Sequence, residues 1–321
     1  MLVSSIDSPT QPTLKYIRTE DENAYGAWVA PHVFKFFPVP VRPLYHYTTG
    51  TGLIEIIKSG ELWSTQLSCL NDASEFLYPI GSILGRAQLK FSSPVSTEVK
   101  LLLQKIISEL SHPQRGTEGR FVTCFTEDGD DLSQWRAYGT GEGGYAIQFD
   151  SLYLRSMSHN QEMVLGKVEY DPTTQVAFLD EVINQTSHFF LDGLRKHRAP
   201  TTEEWLAEFL PFWSSHIAMF GPLIKHPKFS AEREWRLVYH FQDEAIPRMR
   251  YLQRSSMMTK HVPLRLMMQD GKPRLPLTGI VVGPCRHKEI SQISVGDLLR
   301  TYGYPVDQVQ ISTTKIPYQV V

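Results

Sequence analysis

The chain has 321 residues, 41% of them hydrophobic, and a formal net charge of −2; that is enough apolar material for a packed core and excludes wholesale disorder. Lys plus Arg (32) and Asp plus Glu (34) nearly balance, so the totals argue against the broad basic surface that nonspecific nucleic-acid binding needs. Cys69, Cys124 and Cys285 form no CxxC pair, which argues against a zinc ribbon or a disulfide framework and predicts reduced, packed thiols.

In chain order, residues 1–38 read as an N-terminal extension, Ser/Pro/Thr-rich at first and punctuated at its end by Pro38, Pro40 and Pro43. No charged segment followed by an apolar run opens the chain, and no stretch approaches the roughly 18–20 apolar residues of a membrane span; a cytoplasmic location without a membrane partner is expected. A strand over 44–48 precedes a helix capped by Thr51, with Leu53, Ile54, Ile56 and Ile57 at helical spacing and Gly60 as its stop. Leu62-Trp63-Ser64 returns to the sheet. Ser93-Pro94 opens a second helix with Val99, Leu102, Leu103, Ile106 and Leu110 on one stripe. Strands follow at 120–127, 145–149 and 165–170, the second introduced by a glycine-rich turn from Gly139 to Gly144.

Residues 174–222 are helical in pattern, with a Thr201/Glu204 capping box and a wide aromatic face that predicts core or interface packing. Pro211 is expected to kink this stretch. Strands at 234–241, 262–267, 278–283 and 308–314 close the chain, the last two joined by a helix over 289–301. Strands and helices mix without strict βαβ alternation, which predicts an α+β fold, with residues 39–321 as one domain after the extension.

Two segments carry the main candidate chemistry. With side chains alternating in a strand, Glu232, Glu234 and Arg236 share one face while Trp235, Leu237 and Tyr239 share the other. Two neighbouring carboxylates repel and raise one pKa unless a cation compensates, and Arg236 stands beside them. The alternative is a surface ion pair on a solvated sheet edge. His46 shares a face with Leu44 and Thr48, and the alternative to a functional histidine there is a hydrogen-bonded structural one.

Asn71, Asp72 and Glu75 read either as site residues or as an Asx turn opening a helix near Ala73. Asp128, Asp130 and Asp131 form an acidic loop that fits no EF-hand spacing and is expected to be solvated. No GxSxG elbow, HExxH or P-loop signature occurs.

Several segments in order resemble a bacterial family of proteins of unknown function. From about residue 44 to 318 they are Leu44-Tyr45-His46-Tyr47-Thr48, Leu70-Asn71-Asp72 with Glu75, Cys124-Phe125-Thr126-Glu127, Trp135 with Tyr138, Gly144 and Phe149-Asp150, Val168-Glu169-Tyr170, Glu232-Arg233-Glu234-Trp235-Arg236, Ile280-Val281-Val282-Gly283-Pro284, and Ser312 with Ile316-Pro317-Tyr318. The opening strand–helix–Gly60–strand unit resembles, more distantly, the start of the ADP-ribosyltransferase superfamily.

That second resemblance implies a mainly antiparallel sheet core with a helical insertion, NAD as substrate and no metal. It casts His46 as the residue on the nicotinamide ribose, Glu234 as the catalytic glutamate and Glu232 as the orienter of the acceptor. Tyr47, Thr48, Asn71, Asp72, Glu75, Trp135, Tyr138 and Arg236 would line the substrate. The second strand here reads Trp63-Ser64-Thr65, nearer the superfamily's arginine clade (Ser-Thr-Ser) than its histidine clade.

The reaction implied is cleavage of the nicotinamide–ribose bond, with transfer of ADP-ribose to a protein, a nucleic acid or water, as in a toxin or phage-defence effector. A fixed carboxylate would stabilise the positive charge that develops on the ribose. The rival expectations are a metal-dependent nuclease or phosphodiesterase built on the same carboxylates, and a non-catalytic binding module. They differ in one geometric respect: the NAD roles that the resemblance assigns place His46 and Glu234 in one cleft with Trp135 or Tyr138. Side chains on opposite sides of the sheet, or locked in buried pairs, favour binding.

Overall fold

A computed structural model describes residues 20–70, 74–111, 119–139, 143–160, 163–196, 198–240, 249–254, 257–266 and 275–317. The helices are α1 (Glu20–Val33), α2 (Gly50–Ser59), α3 (Ser74–Phe91), α4 (Thr97–Leu110), α5 (Leu132–Tyr138), α6 (Ser151–Asn160), α7 (Pro172–Arg195), α8 (Thr202–Phe220) and α9 (Lys288–Thr301). The strands are β1 (Leu44–Thr49), β2 (Glu61–Gln66), β3 (Arg120–Thr126), β4 (Gly144–Phe149), β5 (Val164–Lys167), β6 (Glu234–His240), β7 (Arg250–Arg254), β8 (Met257–Arg265), β9 (Leu277–Val282) and β10 (Gln310–Thr313).

The fold is α+β around one mainly antiparallel sheet. Its path runs β10-β9-β4-β1-β3-β2-β8-β7, with β6 paired to β3 and β5 to β6. Among these ladders only β9 with β10 is parallel. β6 accompanies β3 along its whole length, from Arg120 opposite His240 to Thr126 opposite Glu234. The other edge of β3 is therefore shared: β1 meets it at Tyr45↔Thr126, and β2 meets it at Thr65↔Val122 and Gln66↔Phe121. The sheet forks at the middle of β3.

Both faces of the sheet are covered, and alternation assigns each residue to one of them. Leu44, Phe125, Ile147, Trp235 and Leu237 face a core closed by α2 (Leu53, Ile57), α6 (Leu154) and α9 (Val295, Leu299). Val122 and Val238 face the opposite way, into a core built by α1, α3, α4, α7 and α8. Residues 20–37, expected to belong to an extension, send Tyr25, Val29, Val33 and Phe37 into that second core.

The helix boundaries refine the expected ones through their caps. Thr49, not Thr51, caps α2 by accepting from the Gly52 N–H, and Gly60 ends it at φ 64°. Ser96, rather than Ser93-Pro94, caps α4. The 174–222 stretch divides into α7, capped by Asp171 with Pro172 in its first turn, and α8, which opens on the Thr201/Glu204 capping box and runs on through Pro211. The helices meet where Gly193 lies against Trp205: a Cβ there would stand 2.5 Å from the indole. Gly193→Ala is accordingly expected to destabilise the protein by about 1–3 kcal/mol, read as a lower urea midpoint at unchanged m. An unchanged midpoint would mean that the α7–α8 contact is loose.

Candidate functional site

β6 is not a solvated sheet edge. It lies between β3 and β5, and its polar face enters the helical side of the molecule. There Arg236, fully buried, donates from Nε to Glu234 Oε1 (3.0 Å), from Nη2 to Glu234 Oε2 (2.9 Å) and Glu75 Oε2 (2.6 Å), and from Nη1 to the Pro222 carbonyl (2.8 Å). Lys225 Nζ reaches Glu75 Oε1 (2.8 Å), Glu232 Oε2 (2.6 Å) and Glu234 Oε2 (3.3 Å).

Three carboxylates thus face two cations. Four of the five side chains are closed from water: Arg236 0%, Glu75 5%, Lys225 6% and Glu234 8% exposed, against 35% for Glu232. Buried charges are tolerated only when paired and hydrogen-bonded, and here each of the closed ones has at least two partners. Glu232 is the network's end at the solvent.

The titration behaviour follows. Burial alone would raise the Glu234 carboxyl, but Arg236 and Lys225 outweigh it and hold the group at about 2. Burial raises Glu232 above the ordinary carboxylate range; Lys225 opposes this and Glu234 and Glu75 add to it. Burial works against charge on Arg236 and Lys225, yet the neighbouring glutamates push both upward.

The two glutamates therefore link to stability with opposite sign. Glu234, depressed from 4.5, contributes stability that is complete above its unfolded value and lost as pH falls from there towards 2. Glu232, raised, favours the fold below its unfolded value and loses that contribution as pH rises through its folded one. Glu234→Gln is expected to be less stable than wild type at pH 7, with the difference shrinking on acidification to pH 3. Glu232→Gln is expected to lose no stability at pH 7. Urea titrations across this range test both; a Glu234→Gln deficit that does not narrow at low pH would refute the linkage.

His46 does not join this network. Tyr45 pairs with Thr126, which pairs with Glu234, so the odd positions of β1 share the glutamate's face and His46 takes the other. Its Nδ1 lies 2.8 Å from the Cys124 carbonyl, at the fork where β1 leaves β3, and its ring lies 5.8 Å from that of Phe125. Ser64 and Thr123, joined at 2.6 Å, lie on the His46 side. The expectation that His46 and Glu234 act as a unit is corrected: one residue of register separates the two sheet faces. Thr48, half-buried, goes with His46.

The aromatic residues expected to stack on substrate pack together beside β1. Trp135, 1% exposed, packs edge-on against Tyr47 (4.6 Å) and donates from Nε1 to Asp130 (2.8 Å). Tyr138 packs in the same cluster. The Tyr47 hydroxyl donates to the Asp128 carbonyl and accepts from the Asp131 N–H, both at 2.9 Å.

The acidic loop is likewise engaged rather than merely solvated. Asp130 accepts from Thr314 Oγ1 and the Lys315 N–H, Asp131 caps α5, and Asp128 pairs with Arg233 at 2.9 Å. Asn71 and Asp72 lie outside the described residues, as do residues 140–142 of the glycine-rich turn.

Glu75 and Arg236, expected to line substrate, instead close the network from inside. Glu232 precedes the strand: it ends a 3-10 turn (Pro227–Glu232), and Arg233 links it to β6. Lys225 escaped the sequence reading, and Tyr170 entered it only as part of the segment Val168-Glu169-Tyr170, with no role at the site. Lys225 sits in Leu-Ile-Lys-His-Pro, where a lysine directly after the apolar run Pro222-Leu223-Ile224 was the available signal; the Tyr170 hydroxyl accepts from the Glu234 N–H at 3.3 Å.

Among the described residues no group of three His, Cys, Asp or Glu side chains is arranged to hold a metal ion, and no helix is long and apolar enough to cross a membrane. The three cysteines are free. The family described as "Protein of unknown function (DUF2971)" matches residues 134–237. That stretch includes Lys225, Glu232, Glu234 and Arg236 but neither Glu75 nor His46. No curated protein and no solved structure matches the chain.

Proposed function

We propose that this chain is a ligand-recognition protein that engages a cationic or proton-donating group of its ligand through Glu232. One observation carries the reading: in a network of three carboxylates and two cations, Glu232 is the carboxylate left open to solvent, at 35% exposure. Glu234 is unsuited to contact a ligand, since Arg236 and Lys225 occupy both of its oxygens. An incoming positive group completes the charge balance, and a charge-assisted hydrogen bond at a part-buried carboxylate is stronger than one on an open surface.

Agmatine, a guanidinium on an aliphatic amine, is a suitable probe. It is expected to raise the melting temperature of the wild type and to bind Glu232→Gln at least about tenfold more weakly, a difference of about 1.4 kcal/mol. No shift in the wild type, or an equal one in the variant, would remove the reading.

A second reading has its own support. The strand–helix–strand unit that resembles ADP-ribosyltransferases folds as β1–α2–β2, and the positively charged nicotinamide ring of NAD suits the same open carboxylate. In that case Glu232, not Glu234, is the group that stabilises the ribose cation, and His46 takes no part. The acceptor would be a protein, a nucleic acid or water. Incubation with NAD discriminates: nicotinamide release that Glu232→Gln abolishes supports enzymatic cleavage, and its absence in the wild type leaves the binding reading alone. The metal-dependent reading gains nothing from this geometry, because Glu232 and Glu234 converge on Lys225.

A further inference from the structure

The peptide that delivers Glu232 to the network is held from outside it. Arg233 stands at φ 46° and ψ 45°, the one positive φ on a non-glycine residue among those described. A side chain with a Cβ disfavours this left-handed region, and such conformations persist where their surroundings over-determine them.

The surroundings here are specific. On one side Thr126 Oγ1 donates to the Glu232 carbonyl at 3.1 Å; on the other the Glu234 N–H donates to Tyr170 at 3.3 Å. The Arg233 guanidinium reaches out to Asp128 at 2.9 Å and Asp131 at 3.7 Å. Those aspartates belong to a loop that Tyr47 ties down through the Asp128 carbonyl and the Asp131 N–H. The groups facing the Glu232 carboxylate are Lys225, Glu234 and Glu75, with Tyr170 beside Glu234.

We propose that Arg233 is the positioning residue of the recognition site: latched to Asp128 and Asp131, it holds Glu232 against Lys225, and opening the latch frees that carboxylate to swing into solvent. The proposal rests on Glu232 being the contact group. Arg233 and Asp128 are 48% and 41% exposed, so the latch lies at the surface, where an ion pair opens readily and where an anionic group on a ligand can compete for the guanidinium.

The test is a carbon-detected NMR titration of the glutamate carboxyls in the full chain, comparing wild type, Asp128→Asn and Arg233→Gly. Glycine accepts the left-handed backbone, so Arg233→Gly removes the latch and keeps the turn available. In the wild type, Glu232 is expected to titrate above the ordinary range and Glu234 near 2. In both variants Glu232 is expected to fall back towards an ordinary glutamate while Glu234 stays low.

Glu232 titrating as in wild type in either variant overturns the proposal. So does Glu234 rising together with it, which would make the latch only a folding contact. No ligand enters the measurement, so a failure of agmatine to bind is a separate result.

Discussion

Arg236→Met is expected to destabilise the protein by about 3–5 kcal/mol, a large share of the 5–15 kcal/mol typical of a whole domain. Methionine replaces much of the volume but none of the charge. Glu234, 8% exposed, would keep only Lys225 as a cationic partner, and Glu75, 5% exposed, likewise. The Pro222 carbonyl would lose its donor. Most of the loss comes from carboxylates stranded away from water rather than from the attraction itself.

Converting Arg236, Glu234 and Glu75 together to apolar residues of similar size should therefore be milder than Arg236→Met alone, although Lys225 must then find its partner in Glu232. Urea unfolding measures both. A loss under about 1 kcal/mol for Arg236→Met is the value of an exposed ion pair and would mean that water reaches the network.

Trp135→Ala is the second large effect, about 3–5 kcal/mol. The indole is 1% exposed, and it stands so close to Gly144 and Gly283 that a Cβ on either would approach its six-membered ring within 3.1 Å. Its truncation leaves a cavity beside Tyr47 and strips Asp130 of the indole donor. Asp130 also holds Thr314 and Lys315, so the segment after β10 should loosen as well, visible as faster amide exchange at Lys315. A ligand-stacking tryptophan would behave differently. Its loss would weaken binding and leave stability nearly intact, and that pattern would restore Trp135 to the site.

Much of the architecture was legible because it is written in local rules. Thr201 with Glu204, Gly60 after an apolar helix, and the alternation from Glu234 to Tyr239 each state a backbone preference that neighbours along the chain can enforce. The alternation also assigned Glu234 and Arg236 to one face, which the sheet respects. Other elements carried weaker local marks. Pro31 and Gly26 interrupt the pattern of α1, a helix whose anchors Tyr25, Val29 and Val33 acquire meaning only against α7 and α8.

The candidate site divides along the same line. Composition and patterning by themselves determined that this is an α+β protein, and that Glu234 and Arg236 stand on one face of a strand. Only the tertiary structure decided what that feature is. Pairing of β6 on both edges turned an exposed ion pair into a buried network; Lys225 and Glu75, distant in sequence, entered it; and the Tyr45↔Thr126 register sent His46 to the other face. Which residues share a face along one strand is a matter of backbone period, available to any reader of the chain. Which strands lie side by side, and in what register, depends on long-range contacts that no local segment encodes.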